Sequence, residues 1–210
     1  MTDLVAARYP LAEEEWLLDG SPYPPYRRTI SRRDIAAGST GLAMTQATLF
    51  VYAVPVQAGD IFNYVSILVK TATATPTHSW VALYNGVGTS AALLAQSADA
   101  TGGFSTGGQK LQLQSTVANT PTVGTPQGPS TAAIVASGAA IWGVAIYNSG
   151  ATGAVLDGMP GGNVAGAIAV TGQVNLAVSK SLSATATAPS TLSGVTALAG
   201  GTPYALLSMQ

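Results

Sequence analysis

The chain has no cysteine, a single histidine, and charged side chains at only 8% of its 210 positions. Each shortage removes a class of function. Without cysteine there is no disulfide, no thiolate nucleophile and no thiolate-bound zinc, and the redox compartment is left open. His78, in TPTHSW, has no second histidine with which to share a metal or a proton, and it reads as a surface-loop residue. The charge content compares with roughly 25% in a typical soluble domain. A surface so poor in charge gives a free monomer little electrostatic protection from self-association, and suits a protein held in an assembly.

The scarcity is also uneven. Arg8, Arg27, Arg28, Arg32 and Arg33 face Asp3, Glu13, Glu14, Glu15, Asp19 and Asp34 within the first 34 residues. Everything after Asp34 carries only Lys70, Lys110, Lys180, Asp60, Asp99 and Asp157. Three lysines cannot supply the phosphate contacts that dominate nucleic-acid affinity, so the body is not expected to bind nucleic acid. A secretory signal is not expected either, because acidic residues interrupt MTDLVAARYPLAEEEW where an apolar stretch would be needed. The charge-free run TAAIVASGAAIWGVAIY (131–147) is short for a membrane span and is split at Ser137-Gly138, so no membrane partner is expected.

What the chain does have is apolar content, 47% of its residues, too much for a disordered polymer. The first 44 residues read as an N-terminal arm. Pro10 followed by LAEEEWLLDG predicts a short helix, with proline in the first turn, acids at the positive end of the dipole and Gly20 past the stop. SPYPPYRR (21–28) is proline-rich and extended. A helix of about ten residues is marginal alone in water and must pack on something.

From residue 45 to the end the signals are β. TLFVYAV (48–54) and DIFNYVSILV (60–69) are rich in β-branched and aromatic residues and flank the turn PVQAG. In the second, alternation sets Phe62, Tyr64, Ser66 and Leu68 on one face and Ile61, Asn63, Val65, Ile67 and Val69 on the other. SWVALYN (79–85), ALLAQSA (92–98) and KLQLQS (110–115) follow, the last with Leu111 and Leu113 inward and Gln112 and Gln114 outward. A loop is predicted at 116–130, then AAIVA (132–136), AIWGVAIYN (140–148), VAGAIAV (164–170), QVNLAVS (173–179) and PYALLSM (203–209). Short strands with turn signals about every ten residues predict an all-β fold, an antiparallel β-sandwich of jelly-roll type.

One phrase is spelled twice. Val81-Ala82-Leu83-Tyr84-Asn85 returns as Val144-Ala145-Ile146-Tyr147-Asn148. Alignment puts Leu83 and Ile146 on equivalent faces, with Tyr84 and Tyr147 on the other, and each phrase ends in the Asn and glycine of a tight bend.

WVALYN…LLAQSAD (80–99) resembles a strand-turn-strand pattern, "xxALYD–xxG–xLLAxSAD", in structural proteins of tailed bacteriophages infecting actinobacteria, of the minor tail or head-decoration type. Phe104 to Leu113 is similar to the Gly/Thr-rich loop and strand that follow it there, and Ile141 to Asn148 to a later "YWVGLxxN"-like strand. The likeness covers about residues 60–158. The chain departs from the pattern at Asn85, where an acid is usual, and in the longer link GVGTSAA. The resemblance implies a virion β-sandwich in the tail tip, a fibre-like appendage or the capsid exterior, with other virion proteins and copies of itself as partners, a trimer being one arrangement open to it.

Candidate chemistry is sparse. Asp60, Asp99 and Asp157 lie singly beside turn-forming residues, which suits turn stabilisation better than a metal cluster or an acid pair. GVGTSA (86–91) has a dinucleotide-like GxG but is followed by strand rather than helix. The arginines of YRRTISRRD, Arg27, Arg28, Arg32 and Arg33, have three readings: a solvated linker, a nucleic-acid grip, or docking onto acids of a neighbouring subunit. With Trp16, Tyr23 and Tyr26 as aromatic anchors, docking is the reading favoured here. No nucleophile–base or metal constellation is visible, so neither an enzyme nor a cofactor is predicted. The rival expectation is a module recognising a host cell-wall glycan, which requires an exposed aromatic pair such as Trp80 or Trp142 with a tyrosine.

Overall fold

Runs of β-branched, aromatic and alternating apolar side chains drive much of the chain into strands. The computed structural model describes residues 26–28, 41–57, 60–117, 120–121, 134–136, 140–159, 177–198, 202–203 and 205–208. Among them there is no helix. The strands are β1 (Tyr26–Arg28), β2 (Leu42–Ala43), β3 (Thr48–Val56), β4 (Ile61–Phe62), β5 (Tyr64–Thr71), β6 (Ala74–Tyr84), β7 (Leu93–Ser97), β8 (Gly107–Val117) and β9 (Thr120–Pro121). There follow β10 (Ile134–Val135), β11 (Ala140–Thr152), β12 (Val155–Leu156), β13 (Gly158–Met159), β14 (Ala177–Ser181), β15 (Thr196–Ala197), β16 (Thr202–Pro203) and β17 (Ala205–Ser208). The helix expected after Pro10 and the strand expected at 164–170 lie outside the described residues.

Thirteen of these strands form one antiparallel network, its main path running β1-β17-β5-β8-β7-β6-β11-β3-β14-β15. The network has two halves joined along β8. Gly107 to Gln112 pair with β5, while Leu113 to Ser115 pair with β7. One half holds β1, β17 and β5 with β12 and β2 beside them, and the other holds β7, β6, β11, β3, β14 and β15.

The larger core cluster draws on both halves: Phe50, Tyr52 and Val54 of β3, Val81 and Leu83 of β6, and Val144 and Ile146 of β11 meet Val65, Ile67 and Val69 of β5 and Leu207 of β17. A second cluster lies on the opposite face of the β6–β11–β3 layer, where Leu49, Val51, Trp80, Ala82, Tyr84, Ala145 and Tyr147 pack under Ala188 and Leu192. The central layer is therefore buried on both faces. That is why its strands, β11 among them, read as continuous apolar runs. No helix among the described residues is long and apolar enough to cross a membrane.

The twice-spelled phrase is explained by register. The two copies are neighbours, antiparallel, with Ala82 opposite Ala145, Val81 opposite Ile146 and Leu83 opposite Val144. Leu83 and Ile146 share one cluster, and Tyr84 and Tyr147 the other, as the alignment requires. Trp80 lies opposite Tyr147, and their rings stack with centroids 4.7 Å apart. Facing Tyr84 is Gly143, where a Cβ would collide with the carbonyl oxygen of Gly86 and sit 2.7 Å from Val51 Cγ1. The loop after β6 needs that vacancy.

Two alternations depart from expectation. The stretch 60–69 is not one strand. It breaks at Asn63, whose N–H donates to the Ser208 carbonyl and whose carbonyl accepts from Leu113 N–H, so that Phe62 turns inward with Val65, edge-on to Trp142 at 5.8 Å. Gln114 is buried rather than outward, because β8 has by then crossed to the other half, and both its faces are covered.

Candidate functional site

The expected docking residues are only partly described. Trp16, Tyr23, Arg32 and Arg33 lie outside the described residues. Tyr26, Arg27 and Arg28 form β1, which pairs with the strand nearest the end of the chain: Tyr26 opposite Ser208, Arg27 opposite Leu207 and Arg28 opposite Leu206. β1 is the outermost strand of its half, so this part of the arm caps the β17 edge, which otherwise presents unpaired backbone groups.

Arg27 fixes this pairing. Its Nε donates to Asp60 Oδ2 at 2.6 Å and its Nη2 to Asp60 Oδ1 at 2.9 Å, with a further bond to Gln57 Oε1 at 3.2 Å. A planar guanidinium meeting a carboxylate along two parallel bonds is the strong, directional form of an ion pair. Both side chains are largely withdrawn from water, 20% and 17% exposed, so salt screens the pair less than an open surface bridge.

The carboxylate is held independently of the arm. Asp60 Oδ2 accepts from Gln57 N–H at 2.7 Å, Asp60 N–H donates to the Gln57 carbonyl at 3.1 Å, and the Asp60 carbonyl accepts from Ala136 N–H at 2.9 Å. The turn role expected for Asp60 is thus present, with recognition of Arg27 added to it.

His78 corrects the surface-loop reading. It lies within β6, and its Nδ1 is 2.6 Å from Asp99 Oδ2. Asp99 does not brace its own turn. Its Oδ1 reaches across to accept from Ser79 N–H at 2.9 Å, and its side chain is 7% exposed. The Ser149 hydroxyl nearby is engaged with Thr77 Oγ1 at 2.7 Å and with the His78 carbonyl at 3.3 Å. The cluster ties β6, β11 and the segment after β7 together.

The aromatic residues raised for glycan recognition are buried, Trp80 fully and Trp142 at 7% exposure. Their layer is covered by residues 182–198, a strap fastened from below. Trp80 Nε1 donates to the Thr185 carbonyl at 2.8 Å, Tyr147 Oη to that of Ser183 at 3.0 Å and Tyr84 Oη to that of Pro189 at 2.8 Å. Gln96 bonds twice, donating to the Ala186 carbonyl at 2.7 Å and accepting from Ala188 N–H at 2.6 Å. Trp80, Tyr84 and Tyr147 thus each satisfy their polar tip on a strap that has few regular backbone partners.

The remaining candidates stay apart. Asp60, Asp99 and Asp157 belong to three separate places, and no group of three metal-ligating side chains occurs among the described residues. GVGTSA leads into β7, a strand, and Val87 within it is buried in the strap-side cluster. The Arg27–Asp60 and His78–Asp99 pairs join residues far apart in sequence. The only signal available beforehand was that the body has three carboxylates, leaving few acceptors for any buried base. No protein family, no curated protein and no solved structure matches the chain.

Proposed function

We propose that the chain is a non-enzymatic structural component of a tailed-bacteriophage virion, a minor tail or capsid-decorating protein. Its body would be an antiparallel β-sandwich of jelly-roll type, in which the two halves joined by β8 face one another across the larger cluster. It works by assembly, with other virion proteins and further copies of itself as partners, and without nucleic acid, membrane or cofactor. The observation carrying this reading is the Arg27–Asp60 clamp. In a chain with so few charges, a bidentate ion pair is used to lay an N-terminal segment on an open sheet edge. The same pairing made between chains is β-augmentation, a general means of joining protein to protein. The resemblance of residues 80–99 to phage structural proteins supports the virion context. The glycan reading has no comparable support, since both tryptophans it calls on are buried.

The test is location. Particles purified from the culture that produces the protein should contain it in fixed copy number, and antibody-coupled gold should label one defined position on them. Protein present in the lysate but absent from washed particles contradicts the reading.

A further inference from the structure

We infer that β1 is a donated strand: in the assembled protein the β17 edge and Asp60 of one copy receive Tyr26–Arg28 of another copy. This rests on the assembly reading above and names the partner and the contact.

The register supplies the argument. β17 and β12 lie along the same edge of β5, because β8 already holds the other edge at both levels. β1 lies outside β17 and β2 outside β12, so both occupy the next lane and run in the same direction as β5. Through Leu206, Arg28 is level with Ser66. Through Leu156, Leu42 is level with Val69. Those levels are about 10 Å apart at the rise of a strand. Residues 29–41 connect them, and that length reaches about 45 Å when extended. The connection is several times longer than the same-chain path requires, and is long enough to carry β1 to a neighbouring molecule.

Three further observations favour a second copy as the partner. The acceptor has supports that do not come from the arm, since Asp60 accepts from Gln57 N–H and donates its own N–H to the Gln57 carbonyl. The donor is three residues long and carries one charged anchor matched to that acceptor, and every copy of the chain has both. The described body offers no apolar alternative, because Ile141 is its one exposed large hydrophobic side chain. Exchange of an identical element is a low-cost route to oligomers, since each contact made between copies replaces one already made within a copy.

Charge exchange tests this with the full chain. In Arg27→Asp two acids meet at the clamp, and in Asp60→Arg two bases do. A mixed dimer of the two variants has both clamps restored, one reversed and one native. Co-expressed, they should form mixed oligomers in at least about tenfold excess over either variant's own, given the cost of opposed like charges, while each alone remains monomeric by light scattering. A wild type that self-associates while the mixture stays as separate monomers overturns strand exchange and leaves assembly standing on another surface. A wild type that is monomeric at every concentration overturns both.

Because Asp60 also holds its own turn, Asp60→Arg could fail to fold. A second measurement therefore leaves the clamp intact. Arg28→Cys and Leu206→Cys, one in each of two chains, should give a disulfide between chains on oxidation, in a protein with no other cysteine. If the mixture stays unlinked while the double variant closes within one chain, β1 belongs to its own copy.

Discussion

Gly143 and the tyrosines of the central layer show how little tolerance the double-sided packing leaves to single residues. A methyl at Gly143 would meet the Gly86 carbonyl and Val51. Gly143→Ala should therefore destabilise the fold by about 1–3 kcal/mol, the range for overfilling a packed interior, and a urea titration would measure it. Burial raises the hydroxyl pKa values of Tyr52 and Tyr84 well above the ordinary phenol range. The folded chain therefore keeps two protons that the unfolded chain releases near pH 10. Stability is fully present below that pH and is lost as the pH climbs toward the folded-state values, by up to about 1.4 kcal/mol per pH unit for each tyrosine. Unfolding free energies between pH 9 and 11.5 should show this fall, and Tyr84→Phe should make it shallower. An unchanged slope in that variant would mean that Tyr84 ionises as freely in the folded chain as in the unfolded one.

Among the elements, the strap over Trp80, Tyr84 and Tyr147 depends most on a few side chains. Gln96 alone satisfies a carbonyl and an N–H of the strap. Gln96→Leu keeps the approximate volume and removes both bonds, at a cost of about 1–3 kcal/mol for buried groups left unpaired. Hydrogen exchange should report this locally, with amides between 183 and 189 losing protection while those of β6 and β11 are changed far less. Uniform loss across the sheet would mean that the strap and layer open together.

The strands themselves were legible in advance. β-Branched and aromatic content between turn signals located β3, β5, β6, β7, β8 and β11, and the echo of VALYN in VAIYN assigned the correct faces to Leu83, Ile146, Tyr84 and Tyr147. What alternation could not carry was phase across the break at Asn63, which puts Phe62 on the same side as Val65, or the covering of both faces of β8 that buries Gln114. Nor could it carry the strap, whose residues 182–198 have no strong period and are held by side chains from strands far away in sequence. The Arg27–Asp60 and His78–Asp99 pairs were illegible for the same reason. Sequence spacing says nothing about which loop meets which strand edge.

At the scale of the whole molecule, a double-sided apolar layer provides the core, and polar recognition is concentrated where β1 meets β17. β1 adds an edge strand beside β17 and, through Arg27, an ion pair with Asp60. This division of labour is the reason for reading the arm as a connector. The most direct test is the molar mass of the full-length protein by light scattering across a concentration series, beside Arg27→Asp. The account predicts a defined oligomer for the native chain and a folded monomer for the variant. A native chain that stays monomeric at tens of micromolar, with Arg27→Asp indistinguishable from it, would contradict the account.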